Sequence, residues 1–107
     1  MIGWKQGYTI GYENVVIIKL EIPDDAKVVH VKQYGCTKDF YYCDKARVLS
    51  ITSFDGKHRV RQARSMKDSG FIYTVGDEAY AVFDYGIGSQ AGIYFFGTRK
   101  KAKDYEF

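Results

Sequence analysis

The chain has 107 residues, enough for one domain and too few for two, with 16 basic against 13 acidic residues and a formal charge of +3. That mild bias excludes the strong basic excess of a dedicated nucleic-acid binder. The longest apolar run, VVII at Val15 to Ile18, excludes a membrane-spanning helix within it.

Residues 1–13 are polar and glycine-rich with scattered aromatics, and read as an extended N-terminal arm within a single domain of 1–107. Trp4, Tyr8 and Tyr12 recur every four residues, a helical spacing, but Gly3, Gly7 and Gly11 recur at the same interval and oppose a stable helix. The expectation is an aromatic arm packed on the domain or on a neighbouring subunit. No apolar run follows a charged leader, so no signal peptide is expected.

Val15 to Ile22 (VVIIKLEI) is a strand whose Val16, Ile18, Leu20 and Ile22 share one face. Val15 and Ile17 make its start apolar on both faces, which places it centrally in a sheet. Pro23 lacks an amide donor and ends it. Lys27 to Lys32 reads as a second strand, and residues 33–44 as an irregular excursion. In Lys45 to Ile51, Ala46 and Val48 take one face and Leu49 and Ile51 the other. Asp55-Gly56 is a turn signal. Lys57 to Arg64 reads as a short exposed strand or a loop, and Ser65 to Gly70 as a linker. Phe71 to Val75 and Ala79 to Phe83 form a predicted hairpin around Gly76-Asp77-Glu78. The glycine-rich loop DYGIGSQAG (84–92) leads into a short strand, Ile93 to Phe96. Thr98 then caps a predicted helix over Arg99 to Tyr105, with Ala102 and Tyr105 towards the core.

The predicted architecture is α+β: a mainly antiparallel, twisted sheet of about five or six strands with one short C-terminal helix. Its predicted core holds Val16, Ile18, Leu20, Ile22, Val48, Ile51, Phe71, Tyr73, Val82, Ile93, Phe95 and Ala102. Aromatic residues make up 17% of the chain, with 10 Tyr and 7 Phe, so most tyrosines should be half-buried sheet residues. Cys36 and Cys43 fit neither a disulfide framework nor a zinc pattern, which points to reduced thiols in the cytoplasm; a local disulfide or a reactive thiol are the alternatives.

The segments IIKLEIPDDAK, CDKARVLSI, FDG, FIYTVG, FD and GIYFFGTRKKAKDY resemble a small uncharacterised domain of bacteriophages and large DNA viruses, sometimes found beside pentapeptide repeats. The resemblance spans about residues 15–105. It implies a phage origin, and a location in the cytoplasm of an infected bacterial cell, more than an activity. The family pattern has a cysteine shortly before the last Gly-Ile and a histidine directly after it. Here Ser89-Gln90-Ala91 and Tyr94 stand in those places. Separately, Gly92-Ile93-Tyr94-Phe95 with Lys101, Ala102 and Tyr105 looks like the GIYF segment and helix of ADP-ribosyltransferases. That resemblance implies a nicotinamide dinucleotide cleft, with Phe71-Ile72-Tyr73 as its first strand. Those enzymes carry a catalytic glutamate on a later strand, and Glu106, the penultimate residue here, is not expected to supply it.

Three surfaces are candidate sites. A nucleotide-like phosphate would sit at Gly86, Gly88, Gly92, Thr98, Arg99 and Lys100, with Tyr73, Tyr85 or Tyr94 beside its base. The loop carries no phosphate-binding motif, and an ordinary loop before a capped surface helix is the plain alternative. The basic run Lys57, His58, Arg59, Arg61, Arg64 and Lys67 places Arg59 and Arg61 on one face and Arg64 opposite. That dispersal weakens the case for nucleic acid; an acidic protein partner or a solvated edge strand are the alternatives. The third surface is aromatic: Phe40, Tyr41 and Tyr42, with Trp4, Tyr8 and Tyr12 on the arm, as an interface for a host protein or a second copy.

His30 and His58 have no Ser or Asp at diagnostic spacing, and Asp24, Asp25, Glu78 and Asp84 form no metal motif, so no catalytic residue, metal or cofactor is assigned. The expected role is a small phage accessory protein acting by binding. It would recognise or sequester a nucleotide-like ligand or serve as a protein-interaction inhibitor or structural module; an ADP-ribosyltransferase-like enzyme is the remaining reading.

Overall fold

A computed structural model describes residues 1–32, 39–66, 70–81 and 92–105. Val82, Phe83, Tyr85, Gly86, Gly88, Cys36, Lys67 and Glu106 lie outside them. Nine strands and one helix are present among the described residues, and every strand pair is antiparallel. The architecture is therefore predominantly antiparallel β with one short C-terminal helix, with more strands than the pattern predicts.

Six strands form the larger sheet: β1 (Ile2–Tyr8), β2 (Val15–Glu21), β5 (Lys45–Ser53), β6 (Gln62–Ser65), β7 (Ile72–Thr74) and β8 (Glu78–Tyr80), in the order β7-β6-β1-β2-β5-β8. β2 is interior, as its two apolar faces require: Val16, Ile18 and Leu20 are buried on one side and Ile17 on the other. The segment expected to be an N-terminal arm is instead interior strand β1, paired with β2 along its whole length and with β6 at Gly7 and Tyr8. Its glycines and polar residues suit a strand only because neighbours crowd it. A Cβ at Gly3 would overlap the buried Phe95 ring.

The predicted hairpin does not form. β7 pairs with β6 and β8 with β5, at opposite edges of the sheet. In a flat sheet those edges would lie roughly 24 Å apart, whereas Thr74 to Glu78 can span at most about 14 Å. The sheet is therefore curled until its edges meet. Val75 N donates to Arg61 O (2.9 Å), Gly76 N to Val48 O (2.8 Å) and Val48 N to Asp77 O (3.0 Å). Gly76 takes a φ of +89°, which glycine alone adopts cheaply, so the turn signal was sound although the strands it joins are not partners.

A bulge corrects the faces of β5. Lys19 opposes Ser50 and Leu20 opposes Val48, leaving Leu49 as the extra residue. Ile51 thereby returns to the buried side with Val48, while Leu49 is exposed.

The smaller sheet has the order β3-β4-β9, from Val28–Lys32, Asp39–Cys43 and Ile93–Phe95. Residues 39–43, read from sequence as an excursion, are its central strand. Trp4 and Phe96 exchange both backbone bonds (2.9 and 2.7 Å) and join the two sheets. The main core lies inside the curl and holds the predicted core residues except Phe71, which packs half-buried against it, Ala102, and Val82, which is not described. Ala102 belongs to a second cluster with Phe40, Tyr42, Tyr94 and Phe96 beneath α1 (Arg99–Asp104).

Candidate functional site

The predicted phosphate site does not come together among the described residues. Thr98 caps α1 as expected, its Oγ1 accepting from Lys101 N at 3.1 Å. Arg99 turns away from any ligand: its Nη2 donates to Ser53 O (3.3 Å) and Phe54 O (3.2 Å), fixing the turn after β5. Lys100 is exposed, and Gly92, at φ +122°, enters β9. Tyr73 and Tyr94 do meet, but in the interior. Burial pushes the Tyr94 phenol well above its ordinary range.

What joins these two tyrosines is Lys5, a residue the sequence did not single out. On β1 it opposes Ile18 and so faces the main core, with 1% of its surface exposed. Its Nζ donates to Tyr73 Oη at 2.7 Å and lies 4.0 Å from the Tyr94 ring centroid. The glycines at 3 and 7, two residues to either side on the same face, were the available signal. Cys43 lies in the same core, fully buried and free. Desolvation pushes its thiol up to about 12, against a smaller opposing pull from Lys5, so it is a protonated core residue and not a nucleophile. Next to Lys5, Gln6 points the other way and donates to the carbonyls of Ala102 (2.7 Å), Lys103 (3.2 Å) and Tyr105 (2.8 Å), tying β1 to the end of α1.

The aromatic candidates separate. Tyr42 is buried beneath α1, and Tyr41 is half-buried in a stack between His30 (4.5 Å) and Phe95 (5.2 Å). Because β4 is flanked by β3 and β9 and packed on both faces, Phe40 and Tyr42 are enclosed and Tyr41 alone of the three keeps part of its surface open. Trp4 is half-buried against the second cluster and Tyr8 is half-buried. Tyr12 alone of the five is freely presented, 53% exposed. It stands in the turn between β1 and β2 at a φ of +60°, with its ring 5.2 Å from the Arg64 guanidinium and 5.9 Å from the Tyr8 ring. Arg64 Nε also donates to Ile10 O (2.8 Å).

Thr9 and Asn14, at the two ends of the turn that carries Tyr12, border an open groove of about 540 Å³. Val15, Val16, Val60 and Phe54, which is 41% exposed, also line it. Lys103 Nζ lies 4.8 Å from the Phe54 ring centroid. Ser53, Asp55 and His58 also border this groove, but they form a turn and not a catalytic triad. The Ser53 hydroxyl donates to Asp55 Oδ1 (2.5 Å), and His58 reaches Ser53 Oγ through its backbone N–H (3.1 Å). Lys57 N also donates to Asp55 (3.0 Å), and these bonds hold the Asp55 carboxyl below its ordinary value. The described residues contain no cluster of three metal-ligating side chains.

Arg59 and Arg61 share one groove, as their spacing predicts, while Arg64 is directed to the Tyr12 turn. Lys57 is exposed beside them.

These features define a curled antiparallel β domain with an end groove lined by valines and Phe54, and a basic flank. The family profile that matches residues 1–102 is described as a family of unknown function (DUF5758), and the chain belongs to that family. No curated protein and no solved structure matches the chain. Among the described residues no helix is long and apolar enough to cross a membrane.

Proposed function

We propose that the protein acts by binding, as a small bacteriophage accessory protein in the cytoplasm of an infected cell, and that its partner is a host protein docked on the face between Tyr12 and Phe54. The observation that carries this reading is the backbone of Tyr12. A residue with a Cβ at positive φ costs on the order of 1 kcal/mol, and glycine would remove that cost. A tyrosine kept there with its ring exposed, on a turn whose flanking residues Thr9 and Asn14 border a groove lined by valines, is strain held where an interface anchor would be useful. The nucleotide reading has less support, because Arg99 holds two backbone carbonyls and Tyr94 is buried.

Native mass spectrometry of the protein recovered from infected cells tests this. The expected result is a stoichiometric protein partner on the wild type that is absent from a folded Tyr12→Ser/Phe54→Ser variant. A nucleotide released on mild unfolding, a homodimer, or a partner held equally by the variant would overturn it.

A further inference from the structure

We propose that the groove beside Arg59 and Arg61 is a second binding site, for an extended acidic segment of a partner protein that carries an apolar side chain between two carboxylates. This rests on the reading of the protein as a binding module but concerns a different surface from Tyr12 and Phe54.

The chain has five arginines, and three are committed internally. Arg47 pairs with Glu78 (3.5 Å), Arg64 holds the Ile10 carbonyl and the Tyr12 ring, and Arg99 holds the carbonyls of Ser53 and Phe54. The guanidinium groups of Arg59 and Arg61 make no hydrogen bond, ion pair or ring contact among the described residues, and both line a single groove of about 250 Å³. Its remaining walls are mainly aliphatic: Leu49, Ile51, Val60 and Val75. Among the described residues no carboxylate lines it, so the charge they bring to the groove is positive.

The backbone under both cations is held. Arg59 bridges Thr52, Val60 N donates to Ile51 O (3.0 Å), and Arg61 O accepts from Val75 N (2.9 Å). Two side chains on a fixed frame lose less freedom on binding than two on a mobile loop. The bulge in β5 turns Leu49 outwards, 37% exposed, beside them.

These features select the occupant. Guanidinium groups pair with carboxylates in a two-bonded geometry. Alternate side chains of an extended peptide repeat every ~7 Å, so two carboxylates in alternate positions can reach two arginines that are themselves two residues apart and line one groove. The intervening residue, or its neighbour, meets the aliphatic wall. A single-stranded nucleic acid would use the same arginines but needs aromatic faces for its bases, and no aromatic residue lines this groove among the described residues.

The test is selection of displayed random peptides on the intact protein, followed by fluorescence anisotropy with the enriched peptide. Carboxylate–apolar–carboxylate sequences are expected, with affinity falling as salt rises. Arg59→Glu/Arg61→Glu should weaken binding at least tenfold, and Tyr12→Ser/Phe54→Ser should leave it unchanged. Thermal melts verify folding; should the charge reversal not fold, Arg59→Gln/Arg61→Gln replaces it. Enriched peptides without carboxylates, or equal binding by the arginine variant, would overturn the site. So would a labelled oligothymidylate that binds these arginines more tightly than the best peptide. Loss only in Tyr12→Ser/Phe54→Ser would move the binding to the end groove, removing this site while leaving the earlier reading standing.

Discussion

Lys5 and the pair Arg59–Arg61 are cations in polar stretches of the sequence and differ completely in the fold: Lys5 lies on β1, whereas Arg59 makes an isolated bridge and Arg61 directly precedes β6. Lys5 lies in a polar, glycine-flanked run on a strand with neighbours at both edges, and its ammonium is enclosed by Tyr73 and Tyr94. Arg59 and Arg61 lie on a segment held by its backbone bonds and by Val60 packed against the core, with their own side chains in solvent. The fold uses the first charge to organise its interior and leaves the other two for something outside. Charge in the sequence therefore identifies neither role; what distinguishes them is whether the fold already satisfies the group.

The largest expected effect follows from that difference. Lys5→Ala removes a buried donor from Tyr73 and opens a cavity in the core, and should cost about 3–5 kcal/mol in urea unfolding. Lys5→Met keeps most of the volume and should cost less. Arg59→Ala should stay within about 0.5 kcal/mol of the wild type. Equal losses at the two positions would break the comparison.

Gly3→Ala probes the room left around β1. The new methyl group would overlap the Phe95 ring, which is fully buried, so the ring or the strand must shift. Overpacking of this kind costs about 1–3 kcal/mol, measured by the same unfolding experiment. A neutral Gly3→Ala would mean that β1 is not tightly held.

β2 and β5 were legible because apolar periodicity is local, and Thr98 was legible because a cap needs only its own turn. β1 was not, since Gly3, Gly7, Lys5 and Gln6 all lower strand propensity, and the contacts that compensate come from Phe95, Tyr73 and the end of α1. β4 was obscured by Phe40-Tyr41-Tyr42, whose alternation only makes sense once α1 covers one face and the main core the other. Gly76 marked a real turn, but curling of the sheet decided which strands it joined. The same limit applied to the site. The shared groove of Arg59 and Arg61 follows from spacing, whereas the use of Arg99 on two carbonyls 45 and 46 residues away does not.

A smaller effect is silent at neutral pH and belongs to the interior that Lys5 organises. The folded Cys43 thiol keeps its proton to about 12, whereas the unfolded thiol releases it near its ordinary 9.0. Stability from this group is complete below about 9 and is lost as pH rises towards 12, because the unfolded chain gains by ionising. The loss should approach about 1.4 kcal/mol per pH unit within that window. Cys43→Ala should flatten the slope between pH 9 and 10, before the buried tyrosines contribute in the same direction; an unchanged slope there would remove Cys43 as its source.

The smallest expected change in stability is also the sharpest test of what an exposed residue is for. Tyr12→Gly relieves a positive φ worth on the order of 1 kcal/mol. It gives back a similar amount through the extra freedom of glycine in the unfolded chain, together with the ring contacts to Tyr8 and Arg64. The net shift in melting should be close to zero, whereas capture of the partner should fall sharply, because the lost ring is the proposed anchor. Retained capture at unchanged stability would show that the strained turn serves neither folding nor binding, and would leave the Arg59–Arg61 groove as the surface through which the protein works.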